Sequence, residues 1–213
     1  MIILVWVRCM KTTILKLNYN GKGITRDDGV VTFVPGVLPE EEIEYKIIKK
    51  DKRFNIGKCT EIIKKSSNRI TSKCPYFNEC GGCVFQNVSY DHSLMYKKDI
   101  FLDLLKRNNI DIKELDIMGS SKPLGYRNKI TLKVENGLFG YYEEESHTFV
   151  EIDKCLLAKD SINTLLADLK KFNILNGNVT IRSNYNDEIL VIIESIDSPT
   201  LKEEIIFKHK IVG

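Results

Sequence analysis

The chain has 213 residues, with 32 Lys and Arg against 29 Asp and Glu, a formal net charge of +3 and 43% hydrophobic residues. This composition excludes a disordered or collagen-like chain, and the length allows one large or two small domains. No apolar run approaches the ~20 residues that a membrane-spanning helix needs, and the opening stub lacks the features of a secretory signal. We therefore expect a cytoplasmic monomer with no membrane partner. Residues 1–11 form a stub, and the start codon is Met1 or Met10.

The first patterned region, residues 12–66, shows only β signals. Strands are predicted over residues 14–19, 30–34, 43–47 and 53–63, with Gly and Pro turns between them. Short strands at this spacing are typical of a small barrel, and barrels of the OB type are frequent platforms for nucleic acids.

Although the net charge of the chain is small, one segment is strongly basic. Residues 46–73 contain ten Lys or Arg and two acids, a local charge of +8, which leaves −5 for the rest of the chain. Such a segment is the electrostatic signature of a protein that binds a phosphate backbone, although a solvated strand face would look similar. The expected phosphate contacts are Lys49, Lys50, Lys52 and Arg53. Phe54 is either a base-stacking residue or a core aromatic.

Three of the six cysteines form a compact motif, in which Cys74, Cys80 and Cys83 have the spacing C-x5-C-x2-C around two adjacent glycines. Disulfides are unusual in the cytosol and three thiols cannot all pair among themselves, so the motif indicates metal ligation. A four-thiolate site needs one more cysteine. We favour Cys155 over Cys59, because Cys59 falls within an alternating stretch that is typical of a strand.

The spacing of the ligands narrows the choice of metal or cluster. Four thiolates suit either zinc or an iron-sulfur cluster. Structural zinc sites usually have two short Cys pairs, whereas one triplet completed by a remote cysteine suits a cubane cluster better. The spacing also differs from the C-x3-C-x2-C of radical-SAM enzymes. Zinc remains the alternative.

The remainder of the chain, residues 90–213, has an α+β pattern. A helix is predicted over residues 91–107, with Leu94, Phe101, Leu102 and Leu105 on its packed face. Strands 130–134 and 138–142 flank an Asn-Gly pair that predicts a hairpin. A second helix over 161–172 and strands over 179–183 and 188–194 complete the pattern. The predicted fold class is therefore mixed, a small β-barrel followed by a cysteine loop and an α+β domain.

Several short motifs occur in a characteristic order. They are residues 21–24 (GKGI), 31–36 (VTFVPG), 38–40 (LPE), 67–69 (SNR), the cysteine motif with Gln86, 125–129 (GYRNK), 139–141 (FGY) and 152–155 (IDKC). In this order the sequence resembles the iron-sulfur RNA (uracil-5-)-methyltransferases of the 23S rRNA type. The resemblance is close over residues 12–160 and looser to the end of the chain.

The resemblance implies a division into domains and a ligand set. It identifies residues 12–66 as a TRAM domain, 67–89 as an iron-sulfur loop and 90–213 as a central domain. It also implies that the four cysteines favoured above hold a [4Fe-4S] cluster.

The implied partner is RNA, with 23S rRNA ahead of tRNA. In the central domain Tyr126, Arg127 and Lys129 are the expected RNA contacts. The alternative for Tyr126 is packing beside the predicted hairpin.

The sequence also departs from this family. Its members carry a domain that binds S-adenosylmethionine at a glycine-rich turn, with a nucleophilic cysteine in a Ser-Cys-Asn-Pro context and an Asp-Pro-Pro-Arg motif. None of these motifs occurs here. We therefore assign no catalytic residue and expect the chain to bind RNA without methylating it, S-adenosylmethionine being bound only through the missing domain. The alternatives are a free-standing RNA-binding module with a four-cysteine zinc site, and a redox sensor whose cluster controls RNA affinity.

Overall fold

The computed structural model describes residues 9–112, 114–144, 146–172, 174–195, 206 and 208–213, with only the backbone of Asp27. Most of the expected N-terminal stub lies outside this part of the chain. The structure divides into two compact units, one formed by residues up to 73 with 84–119, the other by 74–83 with 120–213. Two sheets and few helices make up the described elements, so the expected mixed fold is confirmed.

A six-stranded sheet forms most of the first unit. Its strands are β1 (Met10–Thr13), β2 (Lys16–Leu17), β3 (Gly23–Asp27), β4 (Val30–Val34), β5 (Glu42–Lys50) and β6 (Phe54–Lys64). They pair in the order β1-β5-β6-β4-β3-β2, and every pair is antiparallel except β4 with β6. Three of the four strands predicted here are confirmed, with ends that differ by a few residues.

The opening stretch of chain lies along both edges of this sheet. β1 pairs with β5 at one edge, whereas β2 pairs with β3 at the other. A 2.6 Å hydrogen bond between the hydroxyls of Thr12 on β1 and Thr25 on β3 brings these edges together, so the sheet curls back on itself. The single strand predicted over 14–19 is therefore wrong, because the chain changes its pairing partner between Thr13 and Lys16.

The interior of the curled sheet is a small apolar core. Its five buried side chains are each exposed by 2% or less: Ile14, Val34, Val37, Ile43 and Tyr45. A Cβ at Gly57 would lie 2.9 Å from the Tyr45 ring, so glycine at this position leaves room for the tyrosine. The core thus depends on alternate residues of the strands facing inward.

Helix α1 (Tyr90–Arg107) belongs to the first unit, although the sequence-based ranges placed it with the α+β region. Tyr96 packs on Leu17 and Leu38 of the first unit. Phe101, expected on the packed face, is 45% exposed, so the predicted face is wrong at this residue. The helix buries only a narrow stripe, in which Ser93 and Tyr96 are its buried residues.

The second unit is a five-stranded antiparallel sheet with a helix. Its elements are β7 (Lys129–Glu135), β8 (Leu138–Tyr142), β9 (Phe149–Glu151), α2 (Asp160–Leu169), β10 (Gly177–Ser183) and β11 (Ile189–Ser195), and the sheet order is β11-β10-β7-β8-β9. The predicted hairpin is confirmed, since Asn136 and Gly137 both have positive φ between β7 and β8. Strand β9 was not predicted.

Helix α2 packs on one face of this sheet and closes the core of the second unit. The fully buried side chains include Leu132, Phe139, Leu165, Leu166, Val179 and Ile181. The last residues of the chain run beside β11, where Ile211 forms a parallel bridge with Ile189. Within the described ranges, no helix has the length and apolar character needed to cross a membrane.

Candidate cysteine site and nucleic-acid interface

The cysteine loop, residues 74–83, belongs to the second unit. Turn hydrogen bonds give it a compact shape, among them Cys80 N to Tyr76 O at 2.8 Å. Gly81 N donates to Tyr142 O at the end of β8, and a Cβ on Gly81 would lie 3.1 Å from the backbone nitrogen of Glu144. Glycine at this position therefore allows the loop to approach the sheet closely.

The fourth predicted ligand is held in place by α2. Asn163 accepts a hydrogen bond from Cys155 N at 2.9 Å through its side-chain oxygen, and its amide nitrogen donates to Cys155 O at 3.0 Å. This pair of bonds fixes the backbone of Cys155 to the helix. Sequence reasoning missed Asn163, whose only signal was a polar residue in the predicted helix.

The four predicted ligands influence each other electrostatically. Burial raises the pKa of the Cys80 thiol, and the neighbouring thiols of Cys83, Cys155 and Cys74 raise it further, while a backbone hydrogen bond from Gly82 acts in the opposite direction. Cys80 and Cys155 also pack against the core of the second unit. The thiols of Cys74, Cys83 and Cys155 are thus near enough to that of Cys80 for their charges to act on it. Cys59 lies in the first unit on β6, where its thiol donates to Glu61 O at 3.4 Å.

Arg127 lies beside this loop. Its Nη2 donates to Gly82 O at 2.7 Å, and the side chain is partly buried. Burial lowers the pKa of this guanidinium, but the nearby Cys83, Tyr126 and Cys155 outweigh burial and raise it. Tyr141 is also close, since burial, Cys155 and Cys80 all raise the pKa of its phenol. Arg127 therefore supports the cysteine loop, whatever else it contacts.

The donor set and the geometry can be compared with what a metal requires. Four thiols supply the soft sulfur ligands that zinc or an iron-sulfur cluster takes. In the part of the chain that the structure describes, no three His, Cys, Asp or Glu side chains are arranged to hold a single metal ion. The four cysteines thus have the chemistry that a four-sulfur site needs. Their side chains are not arranged as the ligands of a single metal ion.

The basic residues predicted in the first unit lie at one end of the curled sheet. Lys49 and Lys50 end β5, and Lys52 and Arg53 follow in the loop to β6, all four of them exposed. Another cation of the basic segment has a structural role. Arg69 pairs with the fully buried carboxylate of Glu41, with Nη2 and Oε2 2.7 Å apart, so it is largely unavailable to a phosphate.

Phe54 lies at the start of β6 in an aromatic pair. Its ring centroid is 5.5 Å from that of Phe33, and both side chains are half-buried. Thr32 and Asn55, which alternate with them along the strands, are buried, and the Asn55 amide donates a hydrogen bond to the Thr32 hydroxyl inside the curled sheet. Phe33 and Phe54 therefore lie on the outer face, and the first unit's core does not include them.

An exposed cation extends this outer face. Arg26 on β3 pairs in register with Val31, the β4 residue opposite Phe54, and is exposed. Sequence reasoning missed Phe33 and Arg26. Because side chains alternate along residues 30–34, Phe33 must point outward once Val34 is known to point inward. Lys52 and Arg53 are exposed and directly precede Phe54 in the chain. The group of Arg26, Phe33, Lys52, Arg53 and Phe54 is called the barrel face below.

Two of the RNA contacts predicted in the second unit are accessible. Tyr126 is 56% exposed, and Lys129 is exposed at the first position of β7. Arg127 lies between them in sequence but reaches the cysteine loop. The structure thus places these three residues just before and at the start of one strand.

Several known proteins are similar to this chain in sequence. No protein-family model matches the chain. Proteins described as uncharacterized RNA methyltransferases from Halalkalibacterium halodurans and Aquifex aeolicus are 33% and 34% identical, each over 76% of this chain and over 37% and 39% of their own length. A third, from Staphylococcus aureus, is 31% identical over 85% of this chain and 45% of its own length. The chain spans less than half the length of these relatives, and the similarity supports kinship with the RNA methyltransferase family.

A solved structure shares the fold. It is the Pyrococcus abyssi tRNA (uracil-54, C5)-methyltransferase in complex with S-adenosyl-L-homocysteine, with a TM-score of 0.66 and 23% identity. The match covers 86% of this chain and 45% of that one. At this identity the likeness concerns the fold alone.

Proposed function

We propose that this chain is the RNA-recognition portion of a SAM-dependent RNA (uracil-5-)-methyltransferase that acts on 23S rRNA. Relatives named RNA methyltransferases support the class of enzyme. The uracil-5 reaction and the rRNA substrate come from the resemblance of the sequence motifs. In this proposal S-adenosylmethionine binds to a domain other than the two units, and no residue of the units has a catalytic role.

The barrel face is the observation that carries RNA recognition. Its two phenylalanines present half-buried rings outside the core, and Arg26, Lys52 and Arg53 add positive charge. Aromatic rings stack on unpaired bases of any sequence, and cations hold the phosphate backbone. Together these groups suit a single-stranded segment of RNA.

We assign residues 12–66 to a TRAM-like barrel of the OB type. Two features of the pairing support this assignment. Strands β4 and β6 are parallel neighbours, and the opening stretch pairs with both β5 and β3. If β1 and β2 are counted as one interrupted strand, five strands form a barrel of the kind that binds oligonucleotides.

We further propose that Cys74, Cys80, Cys83 and Cys155 hold a [4Fe-4S] cluster. All four belong to the second unit, and the thiols of the other three raise the pKa of Cys80. With protein ligands at every position, the cluster would have a structural role, tying the cysteine loop to the segment before α2.

RNA binding by the full chain tests the proposed function. We expect binding of a 23S rRNA fragment that weakens as salt rises, with a log-log slope of about −0.7 for each single-strand phosphate contact. Replacing Lys52 and Arg53 by Gln should weaken binding and make the slope shallower. Lys97→Gln is the matched control, because Lys97 is an exposed cation on α1. Binding that is absent or independent of salt would overturn the proposal, and tighter binding of tRNA would overturn the rRNA assignment.

Metal analysis of the same anaerobic preparation tests the cluster. Near-stoichiometric iron and sulfide with the visible absorption of an iron-sulfur chromophore are expected, and replacement of Cys155 by Ser should remove most of both. Zinc without sulfide would favour a free-standing zinc module. RNA affinity that changes after air oxidation would favour the redox sensor.

A further inference from the structure

The exposed face of the second unit's sheet carries two cations side by side. Lys129 on β7 is the register partner of Arg182 on β10, and both are exposed. Directly opposed residues on one face of an antiparallel pair have Cβ atoms about 5 Å apart, and like charges at that spacing are destabilising. Among the described residues neither cation has an ion-pair partner. The sheet thus holds an unfavourable charge pair that an anion would relieve.

The surroundings of this pair are polar and aliphatic. In the next row on the same face, the hydroxyls of Thr131 and Thr180 lie 2.9 Å apart and are exposed. On the neighbouring strand β11, Leu190 is the partner of Arg182 and Ile192 that of Thr180, with exposures of 37% and 48%. Cations beside hydroxyls and aliphatic side chains suit a ligand that has both phosphate and less polar parts.

The turn that follows the strand of Arg182 is held by hydrogen bonds and presents an aromatic residue three positions after that arginine in the chain. Tyr185 follows β10 in the turn to β11 and is 89% exposed. The side-chain oxygen of Asn184 accepts hydrogen bonds from the backbone nitrogens of residues 186 and 188, at 2.9 and 3.0 Å. Lys159 donates to Asn184 O at 2.7 Å and to the Asp187 carboxylate at 3.0 Å. The turn is therefore held at several points, while its tyrosine ring is left in solvent.

The acids of this turn do not neutralise the cation pair. Asp187 accepts hydrogen bonds from Lys159 and from the hydroxyls of Ser161 and Ser183. Glu188 accepts one from Asn184 at 2.6 Å. Both carboxylates thus already accept hydrogen bonds in and around the turn. Lys129 and Arg182 are therefore available to bind an anion from solution.

We propose that Lys129, Arg182 and Tyr185 form a second RNA subsite, in which the cations hold a backbone phosphate and the tyrosine stacks on an unpaired base. This inference rests on the proposed function, since it takes RNA as the ligand. Proteins that bind single-stranded nucleic acid combine exposed aromatic rings with cations. Here Tyr185 follows Arg182 by three residues in the chain, and both are exposed. The site lies wholly in the second unit, whereas the barrel face lies in the first.

The test compares variants of the full chain in binding a fluorescein-labelled, unstructured oligouridine RNA. Arg182→Gln combined with Lys129→Gln should weaken binding about tenfold and reduce the salt slope by about 0.7 for each phosphate that the variant no longer holds. Tyr185→Ala should weaken it at least about fivefold, and Tyr185→Phe should restore affinity, because stacking needs the ring and not the hydroxyl. Lys97→Gln is again the matched control for the removal of a charge.

A stability measurement separates a binding role from a structural one. Since Arg182→Gln removes a like-charge repulsion, its thermal midpoint should equal or exceed that of the wild type while its RNA affinity falls. A lower midpoint with unchanged affinity would show a structural role and overturn the inference. If the wild type binds RNA and these variants bind equally well, this inference alone fails. If the wild type does not bind RNA, the proposed function fails with it.

Discussion

At the scale of single residues, the structure separates cations that can reach a ligand from those used inside the fold. Arg69 belongs to the basic segment 46–73 but pairs with buried Glu41. Arg127 similarly donates to Gly82 O beside the cysteines. The segment therefore offers fewer free charges to RNA than its composition indicates. The number of cations can be counted in the sequence. Which of them are already paired cannot, because their partners lie far away in the chain.

Phe54 is a residue whose role can be tested directly. Phe54→Leu keeps an apolar side chain on the barrel face but removes the ring that could stack on a base. We expect affinity for single-stranded RNA to fall about fivefold or more, with little change in the thermal midpoint. Fluorescence anisotropy with the full chain measures the affinity.

The control for Phe54 is Phe101→Leu, which changes a 45% exposed phenylalanine on α1 and should leave affinity unchanged. A large loss of stability with unchanged affinity in Phe54→Leu would identify Phe54 as a packing residue, the alternative that the sequence left open.

At the scale of elements, Asp168 on α2 connects the helix to the end of the chain. Its carboxylate accepts hydrogen bonds from Lys171 at 2.6 Å, and from Lys208 and His209 at 2.7 Å. These bonds, led by that from Lys171, lower the pKa of Asp168 well below its usual range. The ionised carboxylate thus holds residues 208 and 209 against α2.

This arrangement predicts how stability depends on pH. A carboxyl group whose pKa is lowered by folding stabilises the protein above its unfolded pKa of about 3.9, and the contribution disappears as pH falls toward the folded pKa. Asp168→Asn should therefore be less stable than the wild type at pH 7, and the difference should shrink below about pH 4. Urea titrations across this range measure it.

Asp160→Asn is the control for Asp168, since Asp160 lies in the exposed first turn of the same helix. A stability difference between Asp168→Asn and the wild type that stays constant down to pH 3 would contradict the ionic explanation.

The elements also show where sequence reasoning succeeds. Periodicity predicted both helices, and the Asn-Gly pair predicted the β7–β8 hairpin, because these signals are local. The break between β1 and β2 and the short strand β9 were missed. Their pairing depends on partners elsewhere in the chain, such as β5 for Met10 and β8 for Phe149.

At the scale of the whole molecule, the chain has two units, each with its own core. The four cysteines named from the sequence all fall in the second unit, and so do Arg182 and Tyr185, which the sequence did not single out. That these four cysteines form one ligand set stays a prediction. The cross-strand neighbour of Lys129 could not be foreseen, because it depends on the register of β7 with β10.

Separate cores predict separate effects of mutation. Glu41 is fully buried and accepts hydrogen bonds from Leu38 N, Ser66 N and Arg69, all in the first unit. Glu41→Gln removes the charge and leaves the partly buried Arg69 without its counterion, at a cost of about 3 kcal/mol. We expect calorimetry to show a lowered transition for the first unit and an unchanged one for the second.

Glu44→Gln is the control for Glu41. It breaks the exposed pair with Lys11 on the same sheet and should cost less than about 1 kcal/mol. A single transition that Glu41→Gln shifts as a whole would show that the units unfold together.

The opening stretch of the first unit has a further consequence, for solubility. A strand at the margin of a sheet exposes unpaired amide and carbonyl groups, which invite strands of other molecules to add and so start aggregation. Because β1 covers β5 and β2 covers β3, the margins left to this sheet are two short strands, of four and two residues. Since short edge strands offer few groups for another strand to pair with, we expect this stretch to limit self-association as well as to complete the curled sheet.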